Sequence, residues 1–498
     1  MPQEPFSTLP VELLHSISRL SDAAELRSLL LVNRHLNEVL TPLLYNTIHI
    51  EDSVTAQKCI RTLSRDRSEL ACGRDLPTLV RDLEVSFNHW GMPAGPKTKL
   101  ARRLSRALGR MTNLQHLVFT AAYFCSPKAF AAIAHAAAPS LRSLKLTPQS
   151  EQHWADSSEP SVLDGIRPTF SELSSVTFSM WDDMPLCWMD LLKHILTDRA
   201  AHLREITIKD YHRLHLSRLF RNSPAWSSLV ELTLEVRSVP FDLLPATPNV
   251  RTLSISGASG GEYSWEGVAI PPDAFAKLET LECPYQLLPA FLPADAQRQR
   301  PIRTVRLDDA LYDEDGGEGD YAHGAQPDWD DVSKVLSCLP RSAGPVTDLS
   351  IYIDWFDAEE CWDDVAQHLT TLERLVIVFF QDPGNYDRFG DWGETLLAHT
   401  PRLHTLLLSD APIKTNGSEL AFMFAWDRRV HLTWLAEWDQ HTDALRKVAF
   451  TTEFMWTKTE RGWEAPAEKD EESDDDEEDE YQRRDWGEES EGSVIFEG

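Results

Sequence analysis

The chain has 498 residues and a formal charge of −31, from 48 basic and 79 acidic residues. With 42% apolar residues it can bury a large core, which excludes a wholly disordered or collagenous chain, and so acidic a balance argues against nucleic acid, because phosphate binding needs clustered Lys and Arg. No run of about 18 apolar residues predicts a membrane span, and MPQEPFSTLP lacks the basic and apolar regions of a secretory signal, so the expected location is cytoplasmic or nuclear.

In chain order, Ser7-Thr8-Leu9-Pro10 opens an amphipathic run. Pro10 suits a first helical position with Thr8 or Leu9 as cap, and Glu12 suits the positive end of the helix dipole. Leu13, Leu14, Ile17 and Leu20 recur at helical spacing, and Asp22 can cap a second helix carrying Leu26, Leu29, Leu30 and Val32. A third apolar set follows at Leu36, Val39, Leu40, Leu43 and Leu44. Three short helices make a core that is marginal alone, and leucines beyond what it can bury predict a partner surface.

The order Leu9-Pro10-x-Glu12-Leu13-Leu14-x-x-Ile17, Leu26, Leu31-Val32-x-Arg34 and Pro42-x-Leu44-Tyr45 resembles the F-box. Leu36 and Tyr45 stand where that family often carries Trp. The resemblance implies that residues 1–46 form a three-helix F-box-like domain that docks on the Skp-type adaptor of a Skp–cullin–F-box ubiquitin ligase. It implies that Leu9, Pro10, Leu13, Leu14, Ile17, Val32, Leu36, Leu43 and Leu44 share the adaptor contact and the local core.

From Tyr45 onward the pattern apolar-x-x-apolar-x-apolar recurs, from Tyr45/Ile48/Ile50 and Val80/Leu83/Val85 to Leu403/Leu406/Leu408 and Leu445/Val448/Phe450. Helical patterns lie between, as at Leu100, Leu104, Leu108 and Met111. Strand then helix, repeated, predicts an α/β solenoid over 47–463, with a parallel sheet inside and helices outside. This resembles the leucine-rich repeat family, although the usual Asn or Cys after the third apolar position is mostly missing, so the turns need other partners. An F-box followed by irregular leucine-rich repeats is similar to the large F-box group of basidiomycete fungi. Residues alternating with the apolar set, such as Thr207, Thr233 and Ser254, line the concave face, a mixed and hydroxyl-rich surface. Phe450, Phe454, Trp456 and Trp463 read as a closing hairpin over the last repeat.

The charge is concentrated. Asp308 to Asp331 holds ten acidic residues and no basic one, and reads as a loop inserted between two strands. Glu468 to Glu491 holds fifteen acidic and three basic residues, and 464–498 reads as a disordered acidic tail. Ser473, followed by three aspartates, resembles a target of acidophilic casein-type kinases.

Seven scattered cysteines without a CxxC pair predict buried thiols rather than zinc or disulfides. No GxSxG, HExxH, Walker or GxGxxG motif occurs, so neither catalysis nor a cofactor or metal is expected. Two readings follow. In the first, the chain is a substrate receptor, its first domain on the adaptor, and through it a cullin, with the solenoid on a protein substrate. In the second, it resembles acidic leucine-rich nuclear phosphoproteins, binding histones or other basic proteins through the tail.

Overall fold

The repeated apolar pattern places one apolar residue two positions ahead of a strand and two within it or, in the last occurrence, one within it and one just past its end. In the computed structural model every occurrence of the pattern becomes a strand. The structure describes residues 9–21, 23–65, 75–86, 94–120, 139–147, 170–180, 186–210, 215–221, 223–236, 239–241, 244, 246–256, 268, 270–271, 274–295, 299–308, 329–353, 362, 366–379, 389–409, 428–450 and 455–465. The strands are β1 (Thr47–Ile50), β2 (Asp82–Val85), β3 (His116–Phe119), β4 (Ser143–Leu146), β5 (Ser175–Met180), β6 (Glu205–Asp210), β7 (Glu231–Val236) and β8 (Thr252–Ser256). They continue as β9 (Thr280–Pro284), β10 (Thr304–Asp308), β11 (Asp348–Ile353), β12 (Arg374–Phe379), β13 (Thr405–Ser409), β14 (Lys447–Ala449), β15 (Trp456–Thr459) and β16 (Gly462–Glu464).

Together they form one 16-stranded sheet in strict chain order. Pairs from β1 to β14 are parallel, and β14–β15 and β15–β16 are antiparallel. Sequential order with parallel pairing is the topology of a solenoid, in which each repeat packs only on its neighbours. The register aligns the pattern across the sheet: Ile48 lies beside Leu83, Leu83 beside Leu117, and so on to Leu406 beside Val448. These side chains are buried, and the helices on the outer layer complete the core. Leu100, Leu104 and Leu108 of the helix Ala94–Leu108, with Met111 after it, are all buried, as are Leu192, Ile195 and Leu196 of Leu186–Asp198.

The backbone of the turns is satisfied in a regular way. The carbonyl just ahead of each strand accepts two N–H groups from the next repeat. Arg81 O accepts from Gln115 at 2.7 Å and His116 at 3.0 Å, and Arg142 O accepts from Ser174 at 2.9 Å and Ser175 at 3.1 Å. Where the repeat asparagine is missing, side chains three residues ahead of the strands reach back instead. Asn113 Nδ2 donates to Thr78 O at 2.7 Å, Asn249 Nδ2 to Ser227 O at 2.6 Å, and Thr371 Oγ1 to Val346 O at 2.7 Å. Ser140 Oγ lies 2.9 Å from both Thr112 O and Leu114 O. Ser140→Ala is expected to cost about 1 kcal/mol, the net worth of one such bond, read as a lower urea midpoint.

The last repeat is closed by aromatics. Phe389, Trp434, Trp438 and Phe450 meet at ring separations of 5.1–6.4 Å, and His431 stacks on Phe450 at 4.4 Å. Trp438 Nε1 donates to Phe389 O at 2.7 Å, and Trp456 Nε1 to His431 Nδ1 at 3.3 Å. The β15–β16 hairpin adds Trp456 to the core, and Trp463 Nε1 donates to Asp439 Oδ2 at 3.1 Å. Phe454 lies outside the described residues, as do Asp22, Ser473 and nearly all of the two acidic segments.

Three helices precede the sheet: α1 (Val11–Leu20), α2 (Ala23–Leu30) and α3 (Arg34–Leu44). Their own core is small, with Leu14, Leu36 and Leu40 buried and Leu9, Leu29, Leu30, Val39 and Leu43 packed around them. Tyr45, just past α3, packs instead on the solenoid core. The end of α3 is therefore where one core passes into the other. The first helix begins one residue later than expected. Pro10 is its N-cap, with φ −56° and ψ 144°, not its first helical residue. The extended ψ aims the Pro10 carbonyl at the N–H groups of Leu13 and Leu14, at 3.1 and 3.2 Å, while the ring leaves no N–H to satisfy.

Candidate docking surface

The nine residues expected at a shared contact and core divide sharply. Leu14 and Leu36 are 2% and 1% exposed and form the core of the helical unit. Leu9 and Leu43 pack at its margin, and Leu44 is half-buried. Leu13, Ile17 and Val32 project to solvent, at 51%, 42% and 53% exposure, and Pro10 is exposed as well. Three further apolar side chains share this condition: Val11, Leu20 and Leu31. Leu13, Ile17 and Leu20 are spaced i, i+4 and i+7, which puts them on one face of α1. Leu31 and Val32 form the turn between α2 and α3, their N–H groups bonded to Ser28 O and Leu29 O.

That turn is held from below. Asn33 caps α3 by accepting from Leu36 N at 2.8 Å, and Asn37 Nδ2 donates to Leu30 O at 3.3 Å. The backbone that presents Leu31 and Val32 is thus fixed at both ends. Single exposed leucines are ordinary on protein surfaces, but six large apolar side chains on a unit of three short helices are not.

Several side chains on the face opposite the helices pair between neighbouring strands. Neighbouring strands pair His49 with Glu84 at 2.9 Å, Glu282 with Arg306 at 3.8 Å, and Asp348 with Arg374 at 3.0 Å, and Lys209 pairs with Glu235. Between these lie Thr207, Thr233, Thr252 and Ser254, all without charge. The face offers hydroxyls and matched ion pairs rather than a field of one sign.

Among the described residues three titrating groups are perturbed, and each has a structural cause. Asp52 caps the helix Ser53–Leu63, and hydrogen bonds from Thr55 lower its pKa. Burial raises the Cys59 thiol from 9.0 to about 11, opposed by the charge of Arg27, and burial also raises Cys338. A thiol so protonated is a poor nucleophile. Cys59 is therefore expected to resist alkylation in the native chain at about pH 8 and to react fully in denaturant, read by peptide mass spectrometry. The neutral thiol is favoured in the fold, so stability should fall as pH rises from 9.0 toward about 11. Among the described residues no group of three or more His, Cys, Asp or Glu is arranged to hold a metal ion.

No protein-family model matches the sequence, and no curated protein matches it. Among solved structures, a chain of the crystal structure of the Rad7 and Elc1 complex in yeast is similar over 90% of this chain and 93% of that chain, at 14% identity and a TM-score of 0.35.

Proposed function

We propose that this chain is a non-catalytic substrate receptor of a Skp–cullin–F-box ubiquitin ligase, working in the cytoplasm or nucleus. Residues 1–46 dock on the Skp-type adaptor as an F-box-like unit, and 47–463 form a leucine-rich-repeat-like solenoid that holds a protein substrate. Residues 464–498 follow as an acidic tail. The observation that carries this reading is the exposed apolar set Leu13, Ile17, Leu20, Leu31 and Val32, left outside the small cluster centred on Leu14, Leu36 and Leu40. Apolar surface left in water by a unit this small is stabilised by burial against a partner.

Such a subunit breaks and forms no bonds itself. It raises the effective concentration of substrate lysines beside the ubiquitin carrier, and its two parts need only be rigidly joined. The packing of Tyr45 on the solenoid core, directly after Leu43 and Leu44 of the helical unit, supports that rigid join. Affinity purification of the tagged full chain from cells should recover the adaptor and a cullin, and deletion of 6–46 should abolish both. Recovery of histones instead, fading with salt, would overturn the reading.

A further inference from the structure

The residue just ahead of each strand, whose carbonyl anchors the next repeat, also carries a side chain on the rim of the solenoid. In β2, β4, β6, β8 and β10 that residue is an arginine: Arg81, Arg142, Arg204, Arg251 and Arg303. All five are exposed. The strands between carry Gln115, Ser174, Val230 and Glu279 at the same position. With neighbouring strands about 4.8 Å apart, the arginines recur about every 10 Å along some 40 Å of rim. Arg251 pairs with Glu279 at 3.3 Å; the side chains of the other four make no ion pair or hydrogen bond among the described residues. Glu205 and Glu231 follow Arg204 and Val230 in the chain but open strands on the concave face, and form no ion pair with the row.

A row in which four of five arginines have no partner among the described residues is out of keeping with a chain of net charge −31. The sequence holds a matching anion. Residues 466–498 contain sixteen acidic and three basic residues and begin directly after Ala465, next to β16. Thirty-three residues reach up to about 110 Å when extended. The row begins only six strands from β16, at Arg303, or about 30 Å along the sheet. Tethering gives the segment an effective concentration that a free anion must exceed.

We infer that the acidic C-terminal segment docks on this arginine row, running along the rim from β10 toward β2 and shielding it from other acidic partners. The contact is made between solvent-exposed charges, so it is salt-sensitive.

Phenylglyoxal modification of the full chain, read arginine by arginine by mass spectrometry, tests this. Arg102, Arg103 and Arg106 on the exposed face of the helix Ala94–Leu108 serve as internal references. At about 50 mM salt Arg81, Arg142, Arg204 and Arg303 should react about 5-fold more slowly than the references, and at about 500 mM salt equally fast. A chain ending at Ala465 should lose the protection at low salt. In the full-length Arg142→Glu/Arg204→Glu/Arg251→Glu variant, with an unchanged melting curve, trypsin should cut at Arg483 and Arg484 about 5-fold faster than in the parent at the same low salt. Equal reactivity at low salt overturns the proposal. So does protection that survives removal of the tail, including protection that then depends on the acidic residues of 308–331.

Discussion

Arg300→Leu is expected to destabilise the solenoid by about 3–5 kcal/mol, more than any surface change. Arg300 is 2% exposed, and backbone carbonyl oxygens bond its guanidinium. Nε and Nη2 each lie 3.2 Å from Ala274 O, Nη1 2.9 Å from Phe291 O, and Nη2 3.3 Å from Pro271 O. The guanidinium also sits 5.8 Å from the Phe291 ring centre. Its own carbonyl accepts from Ala343 N at 3.0 Å and Ser342 Oγ at 2.9 Å, so it ties the turn before β9 to the turn before β11. The next residue after Ala274, Phe275, has φ 61°, a left-handed conformation that is strained for a side chain with a Cβ. That strain is held because the Phe275 ring is fully buried, 5.9 Å from Phe291, and because Arg300 fixes the carbonyl just before it. Leucine fills the volume but strands these carbonyls in a dry turn. Lysine, with one donor group at a point, should recover only part of the loss. The expected readouts are a lower urea midpoint and faster amide exchange centred on β9 and β10. An unchanged midpoint would show that water replaces the guanidinium without cost.

The second large effect is on binding rather than stability. Leu13→Glu with Ile17→Glu should weaken association with the Skp-type adaptor by about 100-fold or more, by placing two charges in an apolar contact. Both side chains are about half exposed in the free chain, so its stability should change by no more than about 0.5 kcal/mol. Leu40→Ala is the opposite case. Leu40 is 1% exposed and one of three residues at the centre of the helical unit. It should cost about 2–5 kcal/mol and unfold the unit, which loses binding by losing the surface. The pair of variants separates a contact from a core residue, which adjacency in sequence does not.

That distinction marks the limit of what the residue pattern conveys. The strands were legible because a parallel solenoid asks the same thing of every repeat. Leu83, Leu117, Leu144 and their equivalents face one core in one register, so the pattern survives even where the turn residues do not. The closing hairpin was legible for the same reason, since Trp456 must cover what β14 leaves open. The helical unit was less so. Leu13 and Leu14 are neighbours of one type, yet one faces water and the other the core, because a unit with more leucine than interior leaves the choice of face to packing. Leu20 and Leu31, the most exposed of the set, stood in the pattern but not among the residues expected at the contact. The turn partners Asn113, Ser140 and Asn249 were hidden because each bonds a backbone atom of the preceding repeat, and no motif links residues so far apart. Arg300 was hidden likewise: its bonds to the carbonyls of Ala274 and Phe291 join backbone atoms that no motif singles out.

Calorimetric titration of the purified full chain with a purified Skp-type adaptor tests the central claim most directly. The wild-type chain should form a one-to-one complex with Kd below about 1 μM, with a negative heat-capacity change from apolar burial. The Leu13→Glu/Ile17→Glu chain, melting as the wild type does, should show no heat of binding at the same concentrations. A wild-type chain that binds no adaptor, or a double variant that binds it as tightly as the wild type, would contradict the assignment of this surface.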